Sequence, residues 1–173
     1  MISLADTFRH TSVLLTGGAG FLGSVLLLRL CEMPTKQVIT IVRGPEPEKR
    51  MATFLRSHID SGKLVVISGD CARTNFGYDI EQPWMAKVDI VIHNAADTSF
   101  SMTMKEAVDR NVAMAYSLSH FTLLHPNVKT HMHVSTCYVG YGLPHGSRSD
   151  EVMMPAGHSK PLNTCAPLSS FDC

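Results

Sequence analysis

The sequence has no surplus of either charge: 15 Lys and Arg balance 15 Asp and Glu in 173 residues, and charged residues are only 17% of the total. That removes the basic face on which nucleic-acid binding rests and the acidic run of a disordered tail. Long hydrophobic runs are also missing. The longest, residues 21–30, is interrupted by Gly23, Ser24 and Arg29 and falls short of the roughly 20 apolar residues that span a bilayer. No cleavable leader is expected from the N-terminal pattern, where Asp6 precedes Arg9. The five cysteines are odd in number and form no C-x-x-C pair, a pattern of reduced thiols that points to the cytosol or the cytosolic face of an organelle membrane. Nine histidines make neither an H-E-x-x-H motif nor a Cys/His cluster, so no metal site is expected. What remains is the ordinary globular class, with enough chain to bury a real core.

Within that class one stretch organises the rest. Thr16-Gly17-Gly18-Ala19-Gly20-Phe21-Leu22-Gly23-Ser24 follows the short apolar run Val13-Leu14-Leu15 and opens into a longer one. Strand, glycine turn and helix in that order make a dinucleotide-binding unit. Glycine serves the tight turn, the close approach of backbone to a pyrophosphate, and the packing of helix on strand, while the helix N-terminus offers free N–H groups to phosphate. Two spacings fit, Gly18-x-Gly20-x-x-Gly23 and Gly17-x-x-Gly20-x-x-Gly23, and spacing alone does not choose between them. A P-loop is disfavoured because Ser24 stands where its lysine must be.

The chain continues as alternating strands and helices. A strand over residues 11–16 leads to a helix over 21–31 that is apolar nearly all round, predicting cover on more than one side; Pro34 stops it. Residues 38–42, Val-Ile-Thr-Ile-Val, read as a buried parallel strand. At its end an NAD enzyme usually carries an acid for the ribose 2′-hydroxyl, whereas an arginine suits a 2′-phosphate. The position holds Arg43, then Gly44, with no carboxylate before Glu46, and the expected cofactor is therefore NADPH. Residues 46–59 predict a surface helix and 63–68 a third strand, closed by Gly69-Asp70. Asp70 fits either an adenine amino group or a cap on its own turn. Residues 88–93 form a fourth strand ending in Asn94-Ala95-Ala96, small enough to leave room for ribose and nicotinamide. Residues 105–125 carry apolar side chains at helical spacing up to Pro126, with Asn111 the polar member of the stripe, hence a buried hydrogen-bonding group or a site residue. Residues 128–135 make a fifth strand with His131 and His133 on one face. The fold class is α/β, a Rossmann-type doubly wound parallel sheet of about five strands. The expected division is a nucleotide-binding domain over residues 1–142 and an irregular tail over 143–173.

Taken together, Leu14 to Gly23, Ile41-Val42-Arg43, Gly69-Asp70, Val91-Ile92-His93-Asn94-Ala95-Ala96 and His133-Val134-Ser135-Thr136-Cys137-Tyr138-Val139 resemble the fatty acyl-CoA reductases. These belong to the extended short-chain dehydrogenase/reductase group, with thioester reductase domains of carboxylic acid reductases and of peptide and polyketide synthases as relatives. The likeness covers about residues 12–142; Thr98, Phe100 and the Ser-Thr-Cys-Tyr run bring it nearer the acyl-CoA reductases. It implies NADPH-dependent reduction of a fatty acyl-CoA or other acyl thioester to aldehyde or alcohol. It also implies a hydroxyl from Thr136 or Ser135 at the fifth strand's end, a 2′-phosphate contact from Arg43, and a supporting hydrogen bond from Asn111. Gly17, Gly20, Phe21, Leu22, Gly23, Asp70, Asn94, Ala95 and Ala96 complete the cofactor set.

One part of the family pattern fails. The Tyr-x-x-x-Lys motif is absent: Gly142 lies four past Tyr138, His145 four past Tyr141, and Lys160 four past Ala156. The sheet is thus expected to be incomplete at its C-terminal edge, as in a fragment or truncated product. Three functions compete: the cofactor half of an acyl thioester reductase acting on CoA or carrier-bound acyl groups, a non-catalytic NADP-binding or partner-binding protein, and a gene remnant that does not fold stably.

Overall fold

In a computed structural model, which describes residues 3–135, the β-branched and leucine-rich runs form five strands. They are β1 (Ser12–Thr16), β2 (Gln37–Val42), β3 (Leu64–Ser68), β4 (Ile90–His93) and β5 (Thr130–His133). All pair in parallel, in the order β3-β2-β1-β4-β5. The order reverses at β1, so a crevice opens between the carboxyl ends of β1 and β4, where doubly wound sheets bind nucleotides. The doubly wound α/β expectation is met. The chain divides after Val134, and the fold described here is that of the part before it.

Side-chain alternation along the strands builds a core on each face of the sheet. Val13 and Leu15 pack on one side with Val38, Leu64 and Ile92 against Leu27, Leu30 and Cys31 of α2 (Phe21–Glu32). Leu14 points the other way, joining Ile39, Ile41 and Val91 against Met114, Leu118 and Phe121 of α5 (Ala113–Leu124). β1 is buried along its whole length because it has a strand on either side and a helix on either face. β5 has a neighbour only on the β4 side among the described residues, and three of its four residues are exposed.

Four details depart from the sequence expectations. A short helix α1 (Leu4–Phe8), capped by the Ser3 side chain, precedes β1 and puts Phe8 in the core; nothing in its five residues carried a periodic signal. The surface helix expected over residues 46–59 is broken into two 3₁₀ turns, Pro47–Arg50 and Thr53–Leu55, and a short α3 (Arg56–Asp60). Glu46 is left-handed, and Met51 and Ala52 are extended so that Met51 and Leu55 drop into the core; tertiary burial overrides local helix propensity there. The cover expected all round α2 is missing at its start, where Phe21, Leu22 and Val25 are exposed. Finally, the helix expected over 105–125 is real but contains a π-turn, Val108–Val112, between α4 (Met104–Ala107) and α5. The extra residue in that turn shifts the register, so Val108 and Val112 of the expected stripe face outward while Leu118 and Phe121 stay buried.

Candidate nucleotide site at the carboxyl ends of β1, β2 and β4

Thr16 ends β1 and decides how the turn begins. Its hydroxyl oxygen accepts the amides of Asn94 and Ala95, both at 3.1 Å, and so lashes the end of β1 to the end of β4. Gly17 then turns with φ +76°, a conformation strained for any side chain, and a Cβ on it would stand 2.9 Å from the Ala95 backbone. A Cβ on Gly18 would meet Thr40 Oγ1 at 2.3 Å, and one on Gly23 the Gly17 carbonyl oxygen at 2.0 Å. Both candidate glycine spacings are therefore occupied for reasons of packing. Gly20 differs: its amide donates to Gly17 O at 3.0 Å, and beyond that oxygen, 3.3 Å from a built Cβ, nothing lies within 4 Å. Gly20 is also the N-cap of α2 and brings no side-chain acceptor. The first-turn amides of α2, at the exposed Phe21 and Leu22 and at buried Gly23, are thus left without a capping side chain, on the positive end of a twelve-residue helix. Open space and uncapped amides together suit an anion such as a pyrophosphate.

At the neighbouring corner Arg43 follows β2 and is exposed. Its carbonyl accepts a hydrogen bond from Arg50 Nη1 at 2.5 Å, but its own guanidinium has no carboxylate partner among the described residues. Asp70 is half-buried; its Oδ1 accepts the Ala72 amide at 3.0 Å, so it does cap the local turn.

On the β4 side, Asn94, Ala95 and Ala96 run past the glycine turn, with Ala95 in van der Waals reach of Gly17. Asn111 sits in the π-turn and clips the next residue by both ends of its amide: Oδ1 accepts Asp97 N–H at 2.8 Å, and Nδ2 donates to Asp97 O at 2.9 Å. It holds the loop, rather than pointing a free polar end into the crevice. Asp97 Oδ2 pairs with Arg110 Nη1 at 2.6 Å, which with the Ser99 amide at 3.1 Å holds its carboxyl below the usual carboxylate range. Arg110 reaches Glu106 at 3.4 Å, and Glu106 closes a capping box with Thr103. One network therefore secures both ends of the loop at residues 97–103. Ser135 is exposed, and Thr136, the other candidate hydroxyl, lies outside the described residues.

Sequence reasoning passed over several of these groups. Thr16 was visible only as the residue before a glycine, and its two acceptor contacts depend on where β4 ends. His93 was read as strand. It is buried; since a carbonyl only accepts, its Nε2 donates to Ala95 O at 2.9 Å, leaving Nδ1 buried without a partner among the described residues. Burial first, then the nearby His133 and His131, push its pKa down to about 4, so the ring is neutral at physiological pH. His133 meets it edge to face, with ring centroids 4.7 Å apart. Among the described residues no group of three His, Cys, Asp or Glu side chains could hold a metal ion, and no helix is long and apolar enough to cross a membrane.

A parallel sheet reversing at β1, a glycine turn running into an uncapped helix, and a guanidinium at the end of β2 define a dinucleotide-binding Rossmann domain. The family model for the NAD-binding domain described as "Male sterility protein" matches residues 15–167, and the chain belongs to that family. Its cofactor is accordingly a nicotinamide dinucleotide. Fatty acyl-CoA reductase 1 of Gallus gallus is 30% identical over 175 residues, covering 90% of this chain and 33% of that protein. The terminal R domain from the myxalamid PKS-NRPS pathway superposes with a TM-score of 0.66 at 24% identity, over 82% of this chain and 37% of that one. The reductase domain of a nonribosomal peptide synthetase from Mycobacterium tuberculosis does so with a TM-score of 0.60 at 29% identity, over 76% and 34%. This chain spans about a third of the length of the reductase it matches.

Proposed function

We propose that these residues form the NADPH-binding part of a reductase that acts on acyl thioesters, a fatty acyl-CoA foremost. The observation carrying the cofactor choice is the end of β2: Arg43 stands exposed, with no ion-pair partner among the described residues, where an NAD enzyme keeps a carboxylate, and the next acid, Glu46, is in an ion pair with Lys49 at 2.5 Å. A guanidinium there favours a 2′-phosphate and gives nothing to a 2′-hydroxyl. The substrate class rests on the fatty acyl-CoA reductase relatives.

A bound reduced nicotinamide supplies hydride to a thioester carbonyl. This chain's residues hold the dinucleotide at the amides of Phe21, Leu22 and Gly23, leave space for ribose and nicotinamide along Asn94, Ala95 and Ala96, and fix that strand end through Thr16 and Asn111. Asp70 offers its second carboxylate oxygen to the adenine edge. Thr136 or Ser135 supplies the hydroxyl that polarises the carbonyl oxygen.

A second reading, binding without turnover, is favoured by Gly142 and His145 at the positions four past Tyr138 and Tyr141, where a lysine would lower a tyrosine's pKa. For these residues taken alone, a hydride step with no such proton donor is slower by a factor of about 10²–10⁴. Calorimetric titration of the full chain with NADPH and NADH tests the cofactor assignment. NADPH is expected to bind at least tenfold tighter, and Arg43→Ala to erase the difference; equal affinities in the unaltered chain would sink it. NADPH oxidation on adding acyl-CoA separates turnover from binding alone.

A further inference from the structure

The loop at residues 69–78 passes over the carboxyl ends of β2 and β3, and its shape is fixed from within. Asp70 N–H donates to Phe76 O at 2.8 Å and Arg73 N–H to Asp70 O at 3.0 Å, while Ser117 Oγ, from α5, donates to Arg73 O at 3.0 Å. Asn75 and Phe76 are both left-handed, with φ of 48° and 58°, an uncommon conformation for an aromatic residue. Phe76 is held in it by burial between Trp84 and Phe121, at ring-centroid distances of 5.4 and 5.2 Å. Arg73 therefore leaves a backbone whose N–H and C=O are both committed. Its side chain runs beside Gly77, where a Cβ would stand 3.6 Å from Arg73 Cδ and 3.8 Å from Nη1.

Arg73 and Arg43 line the same open depression of about 420 Å³, the one contributed from the end of β2 and the other from the loop after β3. Neither guanidinium has a carboxylate partner among the described residues. Ser68 Oγ donates to Gly44 O at 2.8 Å, Tyr78 OH to Ser68 O at 2.6 Å, and Asp70 Oδ1 accepts the Ala72 amide, so that of these groups only the second carboxylate oxygen of Asp70 is left over. Two guanidinium groups outnumber the one carboxylate, Asp70, on the lining of this hollow, which leaves it a net positive charge suited to an anion, and the position beside Gly44 is where the NADPH reading puts a phosphate dianion.

We infer that Arg73 is a second cofactor-specificity residue, whose guanidinium grips the 2′-phosphate of NADPH from the β3 side while Arg43 does so from the β2 side. The inference rests on the NADPH reading and adds to it a residue outside the β2 corner.

The test uses the full chain and two fragments that differ only in the phosphate concerned, 2′,5′-ADP and 5′-AMP, titrated calorimetrically against the unaltered protein, Arg73→Gln and Arg73→Lys. Arg73→Gln is expected to weaken 2′,5′-ADP about tenfold or more, the scale of a lost charge-assisted hydrogen bond, and to leave 5′-AMP within about twofold. Arg73→Lys is expected to recover part of the loss, and the unaltered chain's preference to shrink with added salt. Equal weakening of both fragments would show the guanidinium stacking on adenine and would overturn the inference, as would no change in either. If the unaltered chain shows no preference for 2′,5′-ADP, the NADPH reading falls and this inference with it. A preference that survives Arg73→Gln overturns the inference alone. Matching thermal unfolding of variant and parent establishes that the variant is folded.

Discussion

The glycine turn and the arginine rim lie at the carboxyl end of the same sheet, yet the fold demands quite different things of them. Gly17, Gly18 and Gly23 have no room for a methyl group: each built Cβ runs into backbone or into Thr40 and Leu27 within 3 Å. Among the described residues, the charged ends of Arg43 and Arg73 make no ion pair. A residue the fold requires is weak evidence for a ligand, because it would be there without one. Exposed charge with no carboxylate in ion-pair contact among the described residues is stronger evidence. By that measure the part of the site that looks most diagnostic in the sequence, the glycine motif, argues mostly for the fold, and only Gly20 with its open surroundings argues for an occupant.

The largest effect that could break this division is on the glycine side. Gly23→Ala places a methyl carbon 2.0 Å from the Gly17 carbonyl oxygen, and since both are backbone-bound in a turn packed on β4, relief requires moving α2 off the sheet. A loss of more than about 3 kcal/mol is expected, the upper range for overpacking. For a chain of this size that lowers the unfolding midpoint by about 6–12 °C or more, read by calorimetry. A variant that melts like the parent and loses only cofactor affinity would show that Gly23 serves the ligand instead.

How much of this was legible in the chain follows the same line. The five strands, the buried runs of β1 and β2 and the glycine turn came through because each rests on local pattern: continuous apolar residues, β-branching, and glycine at fixed offsets. The broken stretch after Pro45 did not, since what breaks it is the pull of Met51 and Leu55 into the core, a tertiary term. The π-turn was hidden for a related reason: one extra residue in a helix leaves composition unchanged but moves Val108 and Val112 to solvent and carries Asn111 to the Asp97 backbone. Arg73 was unreadable because its meaning lies in a depression shared with Arg43, thirty residues earlier in the chain. The period-two reading of His131 and His133 was sound, but it gave no hint that His93 of the adjacent strand would be the buried one.

His93 offers a sharper and smaller test, because it belongs to the structural side by geometry yet titrates. Its folded pKa of about 4 lies below the ordinary 6.5, so the unfolded chain takes up the proton first as pH falls. Its contribution to stability is whole above about pH 6.5 and is lost as pH drops toward 4, at up to about 1.4 kcal/mol per unit. Urea unfolding at pH 7.5, 6 and 5 is expected to show that slope in the parent and a shallower one in His93→Gln, whose amide keeps a donor for Ala95 O. Identical slopes would mean the buried Nδ1 finds a partner that stabilises the proton.

The smallest effect is the most telling for the rim. Arg43→Ala removes a guanidinium that bonds to nothing in the described structure and leaves the carbonyl that Arg50 uses. Its effect on unfolding free energy is expected to stay within about 0.5 kcal/mol, the scatter of surface substitutions. Repulsion from Arg73 and attraction to Asp97 oppose one another there, so the charge effect is expected to be small at low salt and to vanish as salt rises. A clear loss of stability in the absence of any nucleotide would give Arg43 a place in the scaffold, and the contrast between a turn built for packing and a rim kept for an anion would go with it.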